Sequence, residues 1–360
     1  MKTRSIIAIL TLALTLAAHN TDTRARSPFR TRDPLQPSIT VRWADGGPSY
    51  THYDSHVEAY PIFLWTMDEI GHNLLPPGRI AGRTPKQPAS SGLALSELIE
   101  KLLVEIRSGK TKFTDFTLIQ KKNFNSGKRC GLIVLKFKNH PFVLKLFMER
   151  PDTFADPYGK GIEPISFFFM AGGANRHMSG LTRIKNAHRS QKLLNEISLW
   201  RDNTIIPRKW FWLPRDNRVL HVTGRNVGGN ELMENNIPSV YGIVADYIEH
   251  DNRIKLGHRR HKSIAMRLCN DLELCIDPHG DNFIFVLDEA TNQPKIAIID
   301  TEHFPTIVGI KKRRGFRTHR HWIAFLVGKY VRDAYGRTKS MRRRAQIESR
   351  ELDIVNLDLI

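Results

Sequence analysis

The spacing of apolar residues divides the chain into stretches of different texture. Residues 93–106 place Leu95, Leu98, Ile99, Leu102, Leu103 and Ile106 at intervals of three and four, which predicts a helix with one buried face. From Phe113 the texture changes. Residues 116–120, 132–138 and 142–148 are short β-rich runs, separated by the turn-formers Asn125-Ser-Gly127 and Asn139-His-Pro141. They predict three antiparallel strands. Residues 149–180 are irregular, with Phe167-Phe-Phe169 and Gly172-Gly173. Helical spacing returns over 184–200 through Ile184, Ala187, Gln191, Leu194, Ile197 and Trp200. Residues 240–248 read as a buried strand. Residues 258–274 read as a helix with Ile264, Ala265, Leu268, Cys269 and Leu272 on one face. Residues 283–287 and 296–299 form a hairpin signature, and 322–335 read as a further helix. A β-rich part followed by a helical part is an α+β arrangement.

The first quarter is different. Lys2 and Arg4 precede an apolar run over residues 6–18, followed by small and polar residues. That order predicts a secretory leader over residues 1–25 and hence export; the run is too short to span a bilayer. Residues 26–92 are rich in Pro, Gly, Arg, Ser and Thr, with an apolar patch at 60–65, and 76–92 read as a linker. Residues 26–112 are therefore expected to be an irregular extension carrying one helix.

Composition excludes several classes. With 41% apolar and 25% charged residues over 360 positions, the chain is neither wholly disordered nor fibrous. No stretch approaches the roughly 20 apolar residues of a membrane span. Three cysteines (Cys130, Cys269, Cys275) exclude a disulfide scaffold. Charge adds a direction: 55 basic against 36 acidic residues give a formal +19, which predicts attraction to polyanions. Much of it lies in 311–344, including Lys311-Lys-Arg-Arg314 and Arg342-Arg-Arg344. That segment is a candidate for docking a polyanion or an acidic partner.

The densest polar cluster is Asp277-Pro-His279-Gly-Asp281-Asn282, between a predicted helix and the hairpin over 283–299. The second hairpin strand ends at Asp300-Thr-Glu302. Carboxylate and amide oxygens at the ends of paired strands suit a hard cation such as Mg²⁺. A second reading of the same residues is a metallohydrolase using Asp277, His279, Asp300 and His303. A third is a nucleic-acid-binding module built on the basic segment.

The cluster resembles the protein-kinase-like phosphotransferases, most of all the aminoglycoside and choline kinase branch. Asp277 and Asn282 keep that superfamily's spacing between catalytic Asp and metal-binding Asn. His279 stands where the small-molecule branch often has His, and Asp300 follows a buried strand as the second metal ligand does. The resemblance implies a two-lobed fold: a small β-rich lobe over 113–250 with an insertion at 150–183, and a helical lobe over 251–360. It implies ATP and Mg²⁺ as cofactors and transfer of the γ-phosphate to a hydroxyl of a small molecule or protein. Asp277 would orient or deprotonate that hydroxyl, and Asn282 and Asp300 would hold the metal. Lys145, on the third strand of the small lobe, would grip the phosphates, with Val143 on the same face packing on the base. Glu196 would orient Lys145. Tyr247 would begin the hinge whose backbone meets the adenine edge. The chain departs from the pattern in lacking G-x-G-x-x-G and in having Cys275-Ile276 before Asp277. About 50 residues also separate Lys145 from Glu196. These departures keep a pseudokinase, with the fold but no turnover, as an alternative.

Overall fold

The structure, a computed structural model, describes residues 38–53, 66–155, 176–225, 232–249, 259–272, 275–276, 282–288 and 293–303. The leader, the patch at 60–65, the helix expected over 322–335 and the basic segment 311–344 lie outside them. The described residues form a mixed α+β structure with several antiparallel sheets. Among them no helix is long and apolar enough to cross a membrane.

The described residues open on a hairpin, β1 (Ser38–Trp43) and β2 (Gly46–Tyr53). A short helix α1 (Met67–Gly71) and the two-residue strands β3 (Arg79–Ile80) and β4 (Ser90–Ser91) lead into α2 (Gly92–Arg107). The described residues of the extension, 38–53 and 66–112, thus carry regular elements. Alternation explains β1: Val41 and Trp43 pack with Leu220 and Val222, while Thr40 on the other face meets the Thr51 hydroxyl across the hairpin at 2.9 Å. The expected linker is docked too. Gly92 N–H donates to the Gly78 carbonyl at 2.9 Å and Leu93 N–H to that of Pro77 at 3.1 Å. Both are donors that a helix leaves open at its first turn.

Next come β5 (Phe116–Asn125), β6 (Cys130–Phe137) and β7 (Phe142–Met148), the three expected strands. The short helices α3 (Pro151–Ala155) and α4 (Arg176–Leu181) precede α5 (Arg183–Glu196) and α6 (Ser198–Arg201). The helix expected over 184–200 is therefore two helices, broken at Ile197, which is extended at φ −109° and ψ 108°. Trp200 is buried beyond the break, and its indole N–H donates to Asp271 Oδ2 at 2.7 Å.

The strands β8 (Thr204–Ile205), β9 (Lys209–Trp212), β10 (Val219–Arg225), β11 (Leu232–Pro238) and β12 (Val240–Asp246) follow. The last described elements are α7 (Arg259–Asp271) and the hairpin β13 (Phe283–Leu287) and β14 (Pro294–Ile298). They form a five-stranded sheet ordered β5-β6-β7-β12-β9, a four-stranded sheet ordered β11-β10-β1-β2 and a three-stranded sheet ordered β13-β14-β8.

The five-stranded sheet positions the site, because its two faces differ. On one face Phe137, Phe142, Leu144, Leu146, Trp212 and Val244 pack under the apolar stripe of α2. Burying each such large side chain contributes about 1.5–3 kcal/mol. On the other face Phe147, Phe211, Tyr241 and Ile243 meet Leu181 at the end of α4 and Ile184 at the start of α5. The Tyr241 hydroxyl donates to the His177 carbonyl, tying α4 to this face. A separate core joins α7 to β13 and β14 through Leu268, Cys269, Leu272, Phe283, Phe285, Ile296 and Ile298, with Leu194 and Trp200.

Candidate functional site

Four parts of the chain meet beneath the second face of the five-stranded sheet. On β7, Lys145 stands opposite Ile243 of β12. On β9, Lys209 stands opposite Ala245, two residues further along β12. The period of two puts both lysines on one face, with Val143 also there opposite Ala245.

The hairpin supplies the carboxylate. Ile299 N–H donates to the Asn282 carbonyl at 2.9 Å, so the chain entering β13 and the chain leaving β14 stay paired at the hairpin's open end. Asn282 and Asp300 are both buried there. Lys145 Nζ lies 2.8 Å from Asp300 Oδ2. Residues 155 positions apart in the chain thus form one ion pair.

The third part is α5. Arg183, 2% exposed at the helix start, donates from Nη1 to both Asp300 oxygens at 2.5 and 2.6 Å. Its Nη2 sits 3.0 Å from Glu302 Oε2, an ion pair without hydrogen-bond alignment. Asn186, one turn on, donates from Nδ2 to the carbonyls of Cys275 and Thr301, both at 2.9 Å. The Thr301 hydroxyl accepts from Lys209 Nζ and donates to the Arg183 carbonyl, each at 2.7 Å. An isolated bridge pairs Ile276 with His303. The residue just before Asp277 is thereby held against the Asp300–His303 segment. Asp277 and His279 themselves lie outside the described residues.

Two expectations are corrected. Glu196 does not orient Lys145. It is exposed at the far end of α5, whereas the buried stripe runs through Arg183, Ala187, Ser190 and Leu194. Thirteen residues at 1.5 Å each put Glu196 about 20 Å along the axis from Arg183. Asp300 takes the role of carboxylate partner to Lys145, and the helix contributes a cation. Tyr247 does not offer its N–H to a base, because the β7–β12 pairing extends one step and that N–H donates to the Pro141 carbonyl at 2.8 Å. Its ring lies under Lys136 Nζ, 3.7 Å from the centroid.

The electrostatics follow from crowding. Burial alone would lower the Arg183 pKa, but Asp300 and Glu302 more than offset it and keep the guanidinium charged. Burial, reinforced by Lys145 and partly offset by Asp300, lowers the Lys209 ammonium to about 7. Burial, helped by Arg189, lowers His303 to about 4, so it is neutral at pH 7. Three basic groups, Arg183, Lys145 and Lys209, thus gather around two carboxylates, Asp300 and Glu302.

Among the described residues no group of three or more His, Cys, Asp and Glu gathers as a metal site. Asp300 and Glu302 are the buried carboxylates of the cluster, and Asn282 is buried at the same end of the hairpin. Mg²⁺ takes one or two protein carboxylates and completes its shell with phosphate oxygens and water, so at Asp300 it would have to displace Arg183 Nη1. Comparison with known protein families, curated proteins and solved structures finds no match to the chain.

Proposed function

We propose that the chain is an ATP-dependent phosphotransferase of protein-kinase-like fold, acting on a hydroxyl of a small molecule or protein. The observation that carries the reading is the Lys145–Asp300 pair: a lysine on the third strand of the five-stranded sheet meets the aspartate that follows the hairpin, at 2.8 Å. The helix α5 beside that sheet and the Asn282–Ile299 pairing support it.

On this reading Lys145 binds phosphate oxygens and Val143 packs on the base. Asn282 and Asp300 hold Mg²⁺, which neutralises charge on the phosphates. Asp277 orients the acceptor hydroxyl and takes its proton. The test is nucleotide binding and turnover by the full chain. Lys145→Met is expected to lose Mg·ATP binding, and Asp277→Asn to keep binding while losing transfer. A parent chain that binds no nucleotide overturns the proposal.

One observation favours a second reading. Arg183 bonds both Asp300 oxygens, the atoms a metal would take. A pseudokinase that holds nucleotide without metal fits that arrangement. ATP affinity unchanged by a chelator, with no turnover, would select it.

A further inference from the structure

Lys209 has no counterpart in the functional reading above, yet it stands inside the same site. It shares a sheet face with Lys145 and sits across β12 from it. Its ammonium carries three donors. Among the described residues its hydrogen-bond partner is a hydroxyl, Thr301 Oγ1 at 2.7 Å, and not a carboxylate. Asp300 is engaged by Lys145 and Arg183, and Glu302 by Arg183. The side chain is part-buried on a sheet face that also carries Lys145, with Arg183 of α5 facing it. A cation so placed has a solvation cost and two like-charged neighbours, which a bound anion would relieve.

We infer that Lys209 is a second phosphate-holding lysine, and that the site takes a polyphosphate chain between Lys145 and Lys209 rather than a single phosphate group. The inference rests on the nucleotide reading for the identity of the ligand but not for its charge. Lys209 thereby selects ligands by phosphate count. A lysine that merely pinned Thr301 would add stability and leave that selection untouched.

The experiment measures calorimetric affinities of the full chain for AMP, ADP, ATP and inorganic tripolyphosphate, each with Mg²⁺ held constant. The parent is compared with Lys209→Gln, which keeps a donor toward Thr301 without the charge, and with Lys209→Arg. Charge-assisted hydrogen bonds of this kind are each expected to be worth about tenfold or more in affinity. Lys209→Gln should weaken ATP and tripolyphosphate by that factor and leave AMP unchanged, while Lys209→Arg retains the parent order. Parent-like affinities across the series in Lys209→Gln overturn the inference and leave the nucleotide reading standing. Lysine-dependent tripolyphosphate binding without ATP binding does the reverse. A parent that binds neither ligand overturns both. If Lys209→Gln does not fold, Lys209→Met takes its place, and a Met variant that loses the preference for ATP over AMP while keeping the parent's unfolding temperature supports the inference. One that keeps the preference with unchanged affinities refutes a lysine-specific grip.

Discussion

Replacing Arg183 with methionine isolates the ion cluster from everything else α5 does. Methionine keeps a long apolar stem and removes the guanidinium. Asp300 would still have Lys145 at 2.8 Å, but Glu302, buried and paired with Arg183 at 3.0 Å, would lose that cation. Removing one partner of a buried pair costs about 3–5 kcal/mol, because the remaining charge stays desolvated. For a 360-residue chain a kilocalorie shifts the midpoint by roughly 1–1.5 °C, so the variant should melt about 5 °C below the parent. The assay is urea and thermal unfolding of the full chain at pH 7. Glu302→Gln added to Arg183→Met should recover part of the loss, since it neutralises the stranded carboxylate. A single variant within about 1 kcal/mol of the parent would refute the reasoning, as would a double variant no more stable than the single.

Two further outcomes follow from other buried positions. Burial raises the Glu149 carboxyl from 4.5 to about 7, so the folded chain binds a proton there that the unfolded chain has released. Its contribution is therefore present below pH 4.5 and lost as pH rises through about 7, so Glu149→Gln should gain on the parent across that window. The gain should be on the order of 3 kcal/mol, read from urea midpoints at the two ends, and a constant difference would refute it. Gly92→Ala sets helix propensity against packing: alanine favours the helix by about 1 kcal/mol. At Gly92, however, a Cβ would lie 1.7 Å from the Pro76 carbonyl oxygen. The clash should win, with a loss of about 3 kcal/mol or more, and an unchanged or raised melting temperature would refute it.

Local pattern reaches only part of this molecule. The strands over 116–148 and the hairpin at 283–299 were legible because period-two runs bounded by turn residues carry their own signal. Lys145 and Asp300 were legible as ends of a resemblance, and they do meet. Arg183 was not. Beside Lys185, Arg189 and Lys192 it reads as one more charge on a solvated helix, although it heads the row that continues through Ala187, Ser190 and Leu194. A cation at the head of a buried row was the available signal. Lys209 carried a similar one, sharing a strand face with the buried Phe211. Glu196 was implied by the resemblance alone, and a resemblance cannot see which way a helix turns. What makes Arg183 and Lys209 matter is a partner more than 90 residues away, and spacing within one element holds no information about it.

The hairpin at the start of the described chain has a consequence in time. β1 pairs with β2 at once but also with β10, in a register that joins Ser38 to Arg225 across roughly 190 residues. At a synthesis rate of about 5–20 residues per second, β10 emerges about 10–40 s after β1. An isolated two-stranded hairpin is marginal in water. The first strands made are therefore among the last to be secured, and until β10 arrives the open side of β1 is available to any other strand. Such remote pairing slows folding and lengthens exposure to aggregation. Refolding from urea should show it directly: protection of the β1 amides from hydrogen exchange should lag that of β6 and β7, whose mutual pairing closes over a few residues.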